Sequence, residues 1–375
     1  MSDPRLIIGA MSGTSADGVD GALVKIEGKG LSMSARCLAH HHHPYSPAVR
    51  EAIFALRQSG RVSLADLAGL GRNISMAYAA AARQVLRKAA VRVEDLAALA
   101  AHGQTLYHDP PDTIQWIDPA LLVAEVGCAV VSDFRRADCA AGGQGAPLVP
   151  FADFILFRNP ELNRILLNLG GIANLTFLRS GGGLEQVIAF DTGPANCIAD
   201  ALCRRARPDG PGYDESGKLG RAGRVNEEMV DAFMAAGYFH QPPPKSTDTP
   251  AMLAIWDKHR PRSGRMTLED ELATACFITA RSVGLAIRGL LPHGPAELLI
   301  SGGGSRNPTM LAMLQKQVNP MSIRQLDELG MDSQSKEAVA FALLGAAAMD
   351  NFPANVPSAT GASRPVILGS ITPKP

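Results

Sequence analysis

A short segment near the start of the chain combines residue types that could bind phosphate. From Gly13 to Asp20 the sequence reads GTSADGVD, within a stretch that is apolar on both sides between Arg5 and Ile26. Backbone N–H groups and hydroxyls in a strand–turn–strand can bind phosphate oxygens, and its carboxylates could hold a divalent cation. An ordinary β-hairpin also uses Gly, Ser and Asp in its turn, but needs only one or two of them. We therefore interpret this segment as a phosphate-binding hairpin.

A second candidate is the acid of the sequence FDTGPAN, Phe190 to Asn196. Asp191 follows an apolar strand at the start of a Gly-Pro turn, where a carboxylate could accept a proton from a hydroxyl or a water molecule. A turn residue without function is the alternative. Two glycine-rich turns, NLGGIAN at 168–174 and GGGSRNP at 302–308, could let the backbone approach a phosphate closely. Such turns are common, so each is a weak signal alone.

Polar residues suited to a polyhydroxylated or carboxylated ligand occur in two further segments, AHGQT at 101–105 and DFRRADCAAGGQGAPLVP at 133–150. Their side chains can donate and accept several hydrogen bonds. Taken singly, each is more typical of a surface or interdomain salt bridge. Taken together, they suggest a binding cleft formed by His102, Gln104, Asp133, Arg135 and Arg136.

Strand-like and helix-like patterns alternate along the chain and predict an α/β protein. With 375 residues, 46% of them hydrophobic, the chain can form two cores of ordinary domain size. The Gly- and Pro-rich stretch 140–151 is the best candidate for a crossover between domains. We predict one domain over 1–140, with 352–375 able to return to it, and a second over 141–351.

Composition limits the class of partner and the location. Lys plus Arg and Asp plus Glu are equal at 36 each, without a basic cluster, so the partners are expected to be small molecules and not nucleic acid. The longest apolar run, 338–349, is too short to span a bilayer, and the start lacks a signal-peptide pattern, which together predict a cytoplasmic protein without membrane partners. A homodimer stays open.

Cysteine and histidine usage raises the question of a metal site. The six cysteines form no C-x-x-C pair and are expected to be free thiols. Four consecutive histidines, His40 to His43, precede Pro44 on an extended segment. Neighbouring side chains of a strand point to opposite faces, so a solvated strand edge is favoured over a metal site.

Taken together, these motifs resemble the anhydro-N-acetylmuramic acid kinase family in order and spacing. The resemblance rests on GAMSGTSADGVD, AHGQT, DFRRADCAAGGQGAPLVP, NLGGIANLT, FDTGPAN, PPKST and SGGGSRNP, and reaches nearly the C-terminus with Glu337 and ATGASRP. It implies two actin-like, ribonuclease H-like α/β domains with an interdomain active-site cleft that binds ATP and Mg²⁺. It also implies hydrolysis of the 1,6-anhydro bond of 1,6-anhydro-N-acetylmuramic acid and phosphorylation of O6, giving N-acetylmuramic acid 6-phosphate and ADP in peptidoglycan recycling.

The resemblance also implies roles for individual residues. Asp191 would be the catalytic base. The substrate contacts would be His102, Asp133, Arg135 and Glu337. The nucleotide-binding residues would be Gly13, Thr14, Ser15, Ala16, Asp17, Gly18, Val19, Asp20, Gly170, Gly171, Asn174, Gly302, Gly303 and Gly304. The metal ligands stay unassigned.

Two departures from the family pattern concern the substrate. Trp116-Ile117 stands where Ile-Gly is expected, and 248–251 replaces an expected Gly-Arg-Glu after PPKST. Either segment could border the sugar pocket, so a related anhydrosugar such as levoglucosan stays open as the substrate. A non-catalytic actin-like protein that uses nucleotide as a conformational switch is the alternative from another class.

Overall fold

The computed structural model describes residues 3–261, 266–290 and 294–374. The chain folds into two compact units. Unit 1 contains the residues up to Phe157 together with those from Gln334 onward, and unit 2 is the continuous segment Arg158–Ser333. Unit 2 is therefore inserted into unit 1. The six cysteines are free thiols.

Unit 1 is built on a mixed sheet. Its strands, numbered along the chain, are β1 Arg5–Ser12, β2 Gly18–Glu27, β3 Ser34–Pro44, β4 Leu96–Asp109, β5 Asp112–Trp116, β6 Val130–Ser132 and β12 Ser370–Thr372. The order across the sheet is β12-β6-β4-β1-β2-β3, with β5 paired to β4. β1, β4 and β6 run parallel, whereas β2 and β3 pair antiparallel as a meander from β1.

Helices pack on this sheet. They are α1 Pro47–Ser59, α2 Leu64–Ala89, α3 Pro119–Val126, α4 Arg136–Ala140, α5 Val149–Phe157, α12 Lys336–Met349 and α13 Pro357–Thr360. α2 begins at a side-chain cap, where the Asp66 N–H donates to Ser63 Oγ, and its apolar stripe buries Ile74 and Tyr78 in the core. On the other face, α12 lies directly against β1, because Gly9 has no Cβ to meet the Ala338 carbonyl.

Unit 2 has its own sheet and core. The strands are β7 Asn163–Leu169, β8 Ile172–Leu178, β9 Ile188–Pro194, β10 Ala296–Ser301 and β11 Ser322–Gln325. The helices are α6 Cys197–Ala206, α7 Lys218–Ala222, α8 Glu227–Met234, α9 Thr249–His259, α10 Leu268–Leu290 and α11 Pro308–Val318. The sheet order is β11-β10-β7-β8-β9, and its apolar face packs against α10 and α11.

Both sheets share one topology. In each, the first three strands form an antiparallel meander, and two later strands extend the sheet in parallel from the first strand. These are β4 and β6 in unit 1, where β5 is an added antiparallel strand on β4, and β10 and β11 in unit 2. This 3-2-1-4-5 order is the ribonuclease H-like arrangement that each half of an actin-like protein has. The predicted fold class is confirmed by it.

The unit boundaries differ from the predicted ones. The Gly- and Pro-rich stretch 140–151 stays in unit 1, because the buried Asp138 carboxylate accepts hydrogen bonds from Gly145 N–H, Asn355 Nδ2 and Thr360 Oγ1. α12, which we placed in the second domain, packs on the unit 1 sheet. The C-terminal segment does return to unit 1, where β12 pairs with β6.

Candidate active site

The turn between β1 and β2 presents unused backbone donors. Ala16 is buried with φ 48°, and its N–H donates to the Gly13 carbonyl at 3.2 Å. Thr14, Ser15 and Asp17 are exposed, and their backbone N–H groups donate to no acceptor in the described part of the chain. A cluster of free N–H groups at a tight turn can bind phosphate oxygens.

Side chains from other elements hold this turn. Gln104 of β4 accepts from Ser12 Oγ at 2.7 Å and donates through Nε2 to the Gly13 carbonyl at 3.1 Å. Arg57 of α1 donates through Nη1 to the Thr14 carbonyl at 2.6 Å. The Gly13 and Thr14 carbonyls are thus satisfied internally, which leaves the N–H groups of Thr14, Ser15 and Asp17 for a ligand. Val19 differs from its neighbours, since its side chain is fully buried in the core and offers a ligand nothing.

His102 is buried and lies next to Arg135. Its side chain is only 1% exposed, and Nδ1 lies 2.8 Å from the Gly103 carbonyl. A carbonyl can only accept, so Nδ1 carries the proton and Nε2 accepts from Arg135 Nε at 2.9 Å. Burial lowers the pKa of His102 well below its usual range, which keeps the ring neutral. Both ring nitrogens are therefore used inside the protein.

Arg135 is held rigidly. Its Nη1 donates to the Gly145 carbonyl at 2.7 Å, in addition to the bond from Nε to His102. Burial lowers the pKa of Arg135 to about 10, an effect that the negative charge of Glu337 opposes. The guanidinium therefore stays charged at neutral pH, with Nη2 bonded to no residue in the described ranges.

Glu337 lies at the start of α12 and is exposed to solvent. Desolvation by the surrounding protein raises the pKa of its carboxyl, with Asp20 acting in the same direction and Lys336 and Arg135 opposing it. Asp133 has left-handed backbone geometry (φ 62°), and its carboxylate lies 3.6 Å from Nη1 of the exposed Arg136. The predicted substrate residues of unit 1 thus include a guanidinium, Arg135, and a carboxyl group, Glu337, that interact electrostatically and have polar atoms available to a ligand.

In unit 2, Asp191 lies in β9 and is held by one loop. Its backbone N–H donates to the Lys245 carbonyl at 3.0 Å, and the Thr247 N–H donates to Asp191 Oδ2 at 2.9 Å. Tyr238 Oη donates to the Asp191 carbonyl at 2.5 Å. Oδ1 has no hydrogen-bond partner among the described residues. This loop carries the PPKST motif, so its function here is to fix the Asp191 carboxylate.

The environment of Asp191 makes its carboxylate basic. Burial raises the pKa of Asp191 to about 6, because desolvation disfavours the charged form and the single N–H bond from Thr247 offsets only part of this effect. At neutral pH the group is still mostly ionised. A largely buried carboxylate with one free oxygen and a pKa near 6 is well suited to accept a proton.

The glycine-rich turns of unit 2 lie together. Asn196 Nδ2 donates to the Leu169 and Gly170 carbonyls at 3.0 and 2.7 Å, which fixes the turn between β7 and β8. Gly302 adopts φ 83°, and a Cβ there would stand 2.8 Å from the Leu169 carbonyl oxygen. Gly304 contacts the same residue. Asn174 is exposed and pairs in register with Asp191 across β8 and β9. The predicted nucleotide-binding glycines are thus neighbours, although they are far apart in sequence.

Several supporting residues were not predicted individually. They are Arg57, Tyr238, Lys245, Thr247 and Asn196. Lys245 and Thr247 belong to PPKST, so the motif indicated a role for them without saying which. Lys245 donates to the Tyr238 carbonyl at 2.9 Å and lies over the Tyr238 ring, and burial lowers its pKa. No sequence signal links Arg57 or Tyr238 to the site, because each acts through a partner distant in sequence.

The two departures from the family pattern have structural roles. The Trp116 indole donates to the Leu67 carbonyl at 2.8 Å and packs against Gly71 of α2. It therefore lies with the α2 core, whereas His102 packs against Phe341 of α12. Asp248 caps α9, since the Ala251 N–H donates to its Oδ1 at 2.8 Å.

The four histidines lie on β3, which is the last strand of its sheet, as predicted. His40 and His42 are on one face, where both contact the Asp20 carboxylate. In the part of the chain that the structure describes, no group of three or more His, Cys, Asp or Glu residues is arranged to hold a metal ion. Within the same residues, no helix combines the length and apolarity needed to cross a membrane.

Two units with the ribonuclease H-like strand order place the chain in the class of actin-like folds. One unit carries a hairpin with unpaired backbone N–H groups, and the other carries a carboxylate with one free oxygen. A family model described as anhydro-N-acetylmuramic acid kinase matches residues 5–374. The chain belongs to that family. A relative from Gloeobacter violaceus with the same name is 40% identical over 378 residues, covering 99% of each chain, and one from Salinibacter ruber is 39% identical, covering 98% of this chain and 96% of the relative.

A third relative of the same name, from Caldanaerobacter subterraneus subsp. tengcongensis, is 36% identical over 385 residues, covering 99% of this chain and 97% of the relative. Among solved structures, the activator of 2-hydroxyisocaproyl-CoA dehydratase from Clostridium difficile with bound ADPNP aligns with a TM-score of 0.45 and 15% identity. That alignment covers 91% of this chain and 94% of the other.

Proposed function

We propose that this kinase acts on 1,6-anhydro-N-acetylmuramic acid with ATP. It hydrolyses the anhydro bond and phosphorylates O6, giving N-acetylmuramic acid 6-phosphate and ADP, a step of peptidoglycan recycling in the cytoplasm. The observation that carries this proposal is Asp191, whose carboxylate is held by Thr247, has a free Oδ1 and has a pKa near 6. Family membership supports the substrate class.

The chemistry requires one base. Asp191 accepts a proton from the water that attacks the anomeric carbon, and the bond from that carbon to O6 breaks. The departing O6 carries the electron pair of this bond and attacks the γ-phosphorus of ATP, which releases ADP. Orienting water, sugar and phosphate in one geometry supplies most of the remaining rate enhancement.

Unit 1 supplies the nucleotide contacts. The free N–H groups of Thr14, Ser15 and Asp17 bind phosphate oxygens. The exposed Asp17 carboxylate fits Mg²⁺, which proteins commonly bind through one or two carboxylates together with substrate phosphates. Bound Mg²⁺ would neutralise charge on the transferring phosphoryl group. In unit 2, the adjoining turns at Gly170 and Gly302 offer backbone that a phosphate could approach closely.

Arg135 and Glu337 bind the sugar. The Arg135 guanidinium retains free N–H groups that fit a carboxylate or hydroxyls, and Glu337 can accept from hydroxyl groups. His102 does not touch the sugar in this proposal. Its neutral ring positions Arg135 by accepting from Nε.

A coupled assay of ADP release tests the proposal. The wild-type protein is incubated with ATP and Mg²⁺, and with 1,6-anhydro-N-acetylmuramic acid, levoglucosan or N-acetylmuramic acid in separate reactions. We expect rapid turnover only with the first sugar. Faster turnover of levoglucosan would identify that sugar as the substrate instead. ATP binding without turnover of any sugar would favour a nucleotide switch. Mass spectrometry of the sugar product distinguishes phosphorylation at O6 from simple ATP hydrolysis.

A further inference from the structure

The strand that carries Asp191 is irregular directly after this residue. Ala173 of β8 pairs with Gly193 of β9, but the next residue along β8, Asn174, pairs with Asp191. Thr192 is therefore an extra residue on β9, which makes a β-bulge beside Asp191. A bulge bends its strand and changes the direction of the side chains around it. The direction of the Asp191 carboxylate thus depends on how the bulge is held.

One loop holds the backbone of Asp191 from outside the sheet. β9 is the last strand in the order β11-β10-β7-β8-β9. The Asp191 N–H donates to the Lys245 carbonyl at 3.0 Å, and Tyr238 Oη donates to the Asp191 carbonyl at 2.5 Å. In an antiparallel ladder the N–H and C=O of one residue point to the same side. The loop 237–247 therefore takes the place of a neighbouring strand at Asp191.

Packing and charge fix the Tyr238 hydroxyl. Lys245 Nζ donates to the Tyr238 carbonyl at 2.9 Å and lies 4.7 Å from the centre of its ring. The next residue, Phe239, packs edge-on to the Tyr238 ring and also contacts the bulge, where a Cβ on Gly193 would stand 2.9 Å from the Phe239 ring. Burial raises the pKa of Tyr238, so its hydroxyl keeps its proton and remains a donor.

We propose that Tyr238 is a positioning residue for the Asp191 base, whose hydroxyl fixes the backbone of the bulge and thereby the direction of the carboxylate. The inference rests on the proposed function, which assigns the base to Asp191. It deepens that function by naming the residue that orients the base. Tyr238 bonds the main chain of Asp191, so it acts through Asp191 and does not act on the substrate.

Loss of the hydroxyl should change the environment of the carboxylate. Without the donor from Tyr238, the Asp191 carbonyl must bond to water, and the bulge can shift towards solvent. Water near the carboxylate reduces the desolvation that raises the pKa of Asp191 to about 6, so this pKa should fall. Among the described residues, the titratable side chains of the loop packed on this segment are Tyr238 and Lys245. Its neighbours on β8 and α10, Asn174 and Ser282, do not titrate.

Steady-state kinetics of Tyr238→Phe tests the assignment. The change removes the hydroxyl alone and keeps the ring that contacts Lys245 and Phe239. In the ADP-release assay with 1,6-anhydro-N-acetylmuramic acid, we expect kcat to fall about ten- to a hundredfold, because small displacements of a reacting group have effects of this size. The KM values for ATP and sugar should stay within about threefold of wild type. The midpoint of the acidic fall in kcat/KM should move below the wild-type value of about 6.

Two further variants separate positioning from a general effect on the fold. Tyr213→Phe removes the hydroxyl of an exposed tyrosine in the same unit and should keep the wild-type kcat and pH midpoint. Lys245→Met removes the ammonium group that holds Tyr238 and should lower kcat by less than Tyr238→Phe does. The double variant should lose little more than Tyr238→Phe alone, because both changes act through the same hydroxyl.

The outcomes distinguish the role of Tyr238 from the proposed function. A Tyr238→Phe variant with wild-type kcat would show that Tyr238 does not position the base, while the proposed function stood. A raised KM at unchanged kcat would overturn the assignment by making Tyr238 a binding residue. A lower kcat with an unshifted pH midpoint would indicate a smaller fraction of folded protein and would also contradict it. If the wild type turned over none of the sugars, the proposed function and the role of Tyr238 would fall together.

Discussion

At the scale of single residues, different surroundings give the carboxylates of Asp191 and Asp138 different roles. Asp191 is mostly buried and receives one N–H bond, so its pKa rises to about 6. Asp138 is fully buried but accepts three hydrogen bonds, from Gly145, Asn355 and Thr360. The first carboxylate keeps an unused oxygen for chemistry, whereas the second holds a loop in place.

Asp191→Asn should lower kcat by about 10²- to 10⁴-fold, the usual contribution of a general base. The asparagine retains an oxygen to accept from the Thr247 N–H, so the KM values for ATP and sugar should change by no more than about threefold. Steady-state kinetics with the ADP-release assay checks both. A variant that kept most of its kcat would make Asp191 a structural residue, and Glu337 would become the candidate base.

The pH dependence of kcat/KM for the sugar should report the raised pKa of Asp191. Only the ionised carboxylate accepts a proton, and its pKa in the folded protein is about 6 and not the usual 3.8. Activity should therefore be lost as the pH falls through about 6, at saturating ATP. A midpoint near 4 would contradict the burial argument. The residual activity of the Asp191→Asn variant should not fall as the pH is lowered through about 6.

At the scale of elements, the features that the sequence predicts correctly are those set by residues close together in the chain. The hairpin was predicted from residues within a few positions of one another. The caps at Ser63, Asp118 and Thr267 are equally local, since each side chain accepts from the N–H three residues later. The contacts of Asp191 with the 245–247 loop and of Asp20 with His42 were not predicted. They join segments about 20 to 60 residues apart, and a periodic pattern carries no information about which strands become neighbours.

Trp116 illustrates how an element's position decides the role of a residue. Because the indole donates to the Leu67 carbonyl and packs on α2, Trp116→Phe should cost about 1 kcal/mol, which is a few degrees in melting temperature. The KM for the sugar should stay within about twofold of wild type. Circular dichroism melting and the kinetic assay measure the two effects. A raised sugar KM at unchanged melting temperature would place Trp116 beside the sugar instead.

At the scale of the whole molecule, the main difference from the predicted order of two domains is that unit 2 is inserted into the sequence of unit 1. Unit 2 is continuous from Arg158 to Ser333, whereas unit 1 needs both flanking segments. The fold class could be predicted from the motifs, but the return of α12 could not. Its sequence, KEAVAFALLGAAAM, is apolar nearly all round and fits any buried position.

The segment 158–333, expressed alone, should fold, since its sheet and core lie within it. We expect a cooperative thermal transition by circular dichroism. The segment 1–157 alone should unfold without a cooperative transition, because it lacks α12 and β12. A cooperative thermal transition of the 1–157 fragment would mean that the first sheet folds without α12.

The close packing of α12 on Gly9 has a consequence for biosynthesis. The face of β1 that α12 covers is translated first, and its partner helix emerges only after about 180 further residues beyond the end of α5. At roughly 5 to 20 residues per second, this leaves an apolar sheet face uncovered on the ribosome for about 10 to 40 seconds. Unit 2 can complete its own core within that interval. The first sheet therefore completes its core only after α12 has been translated.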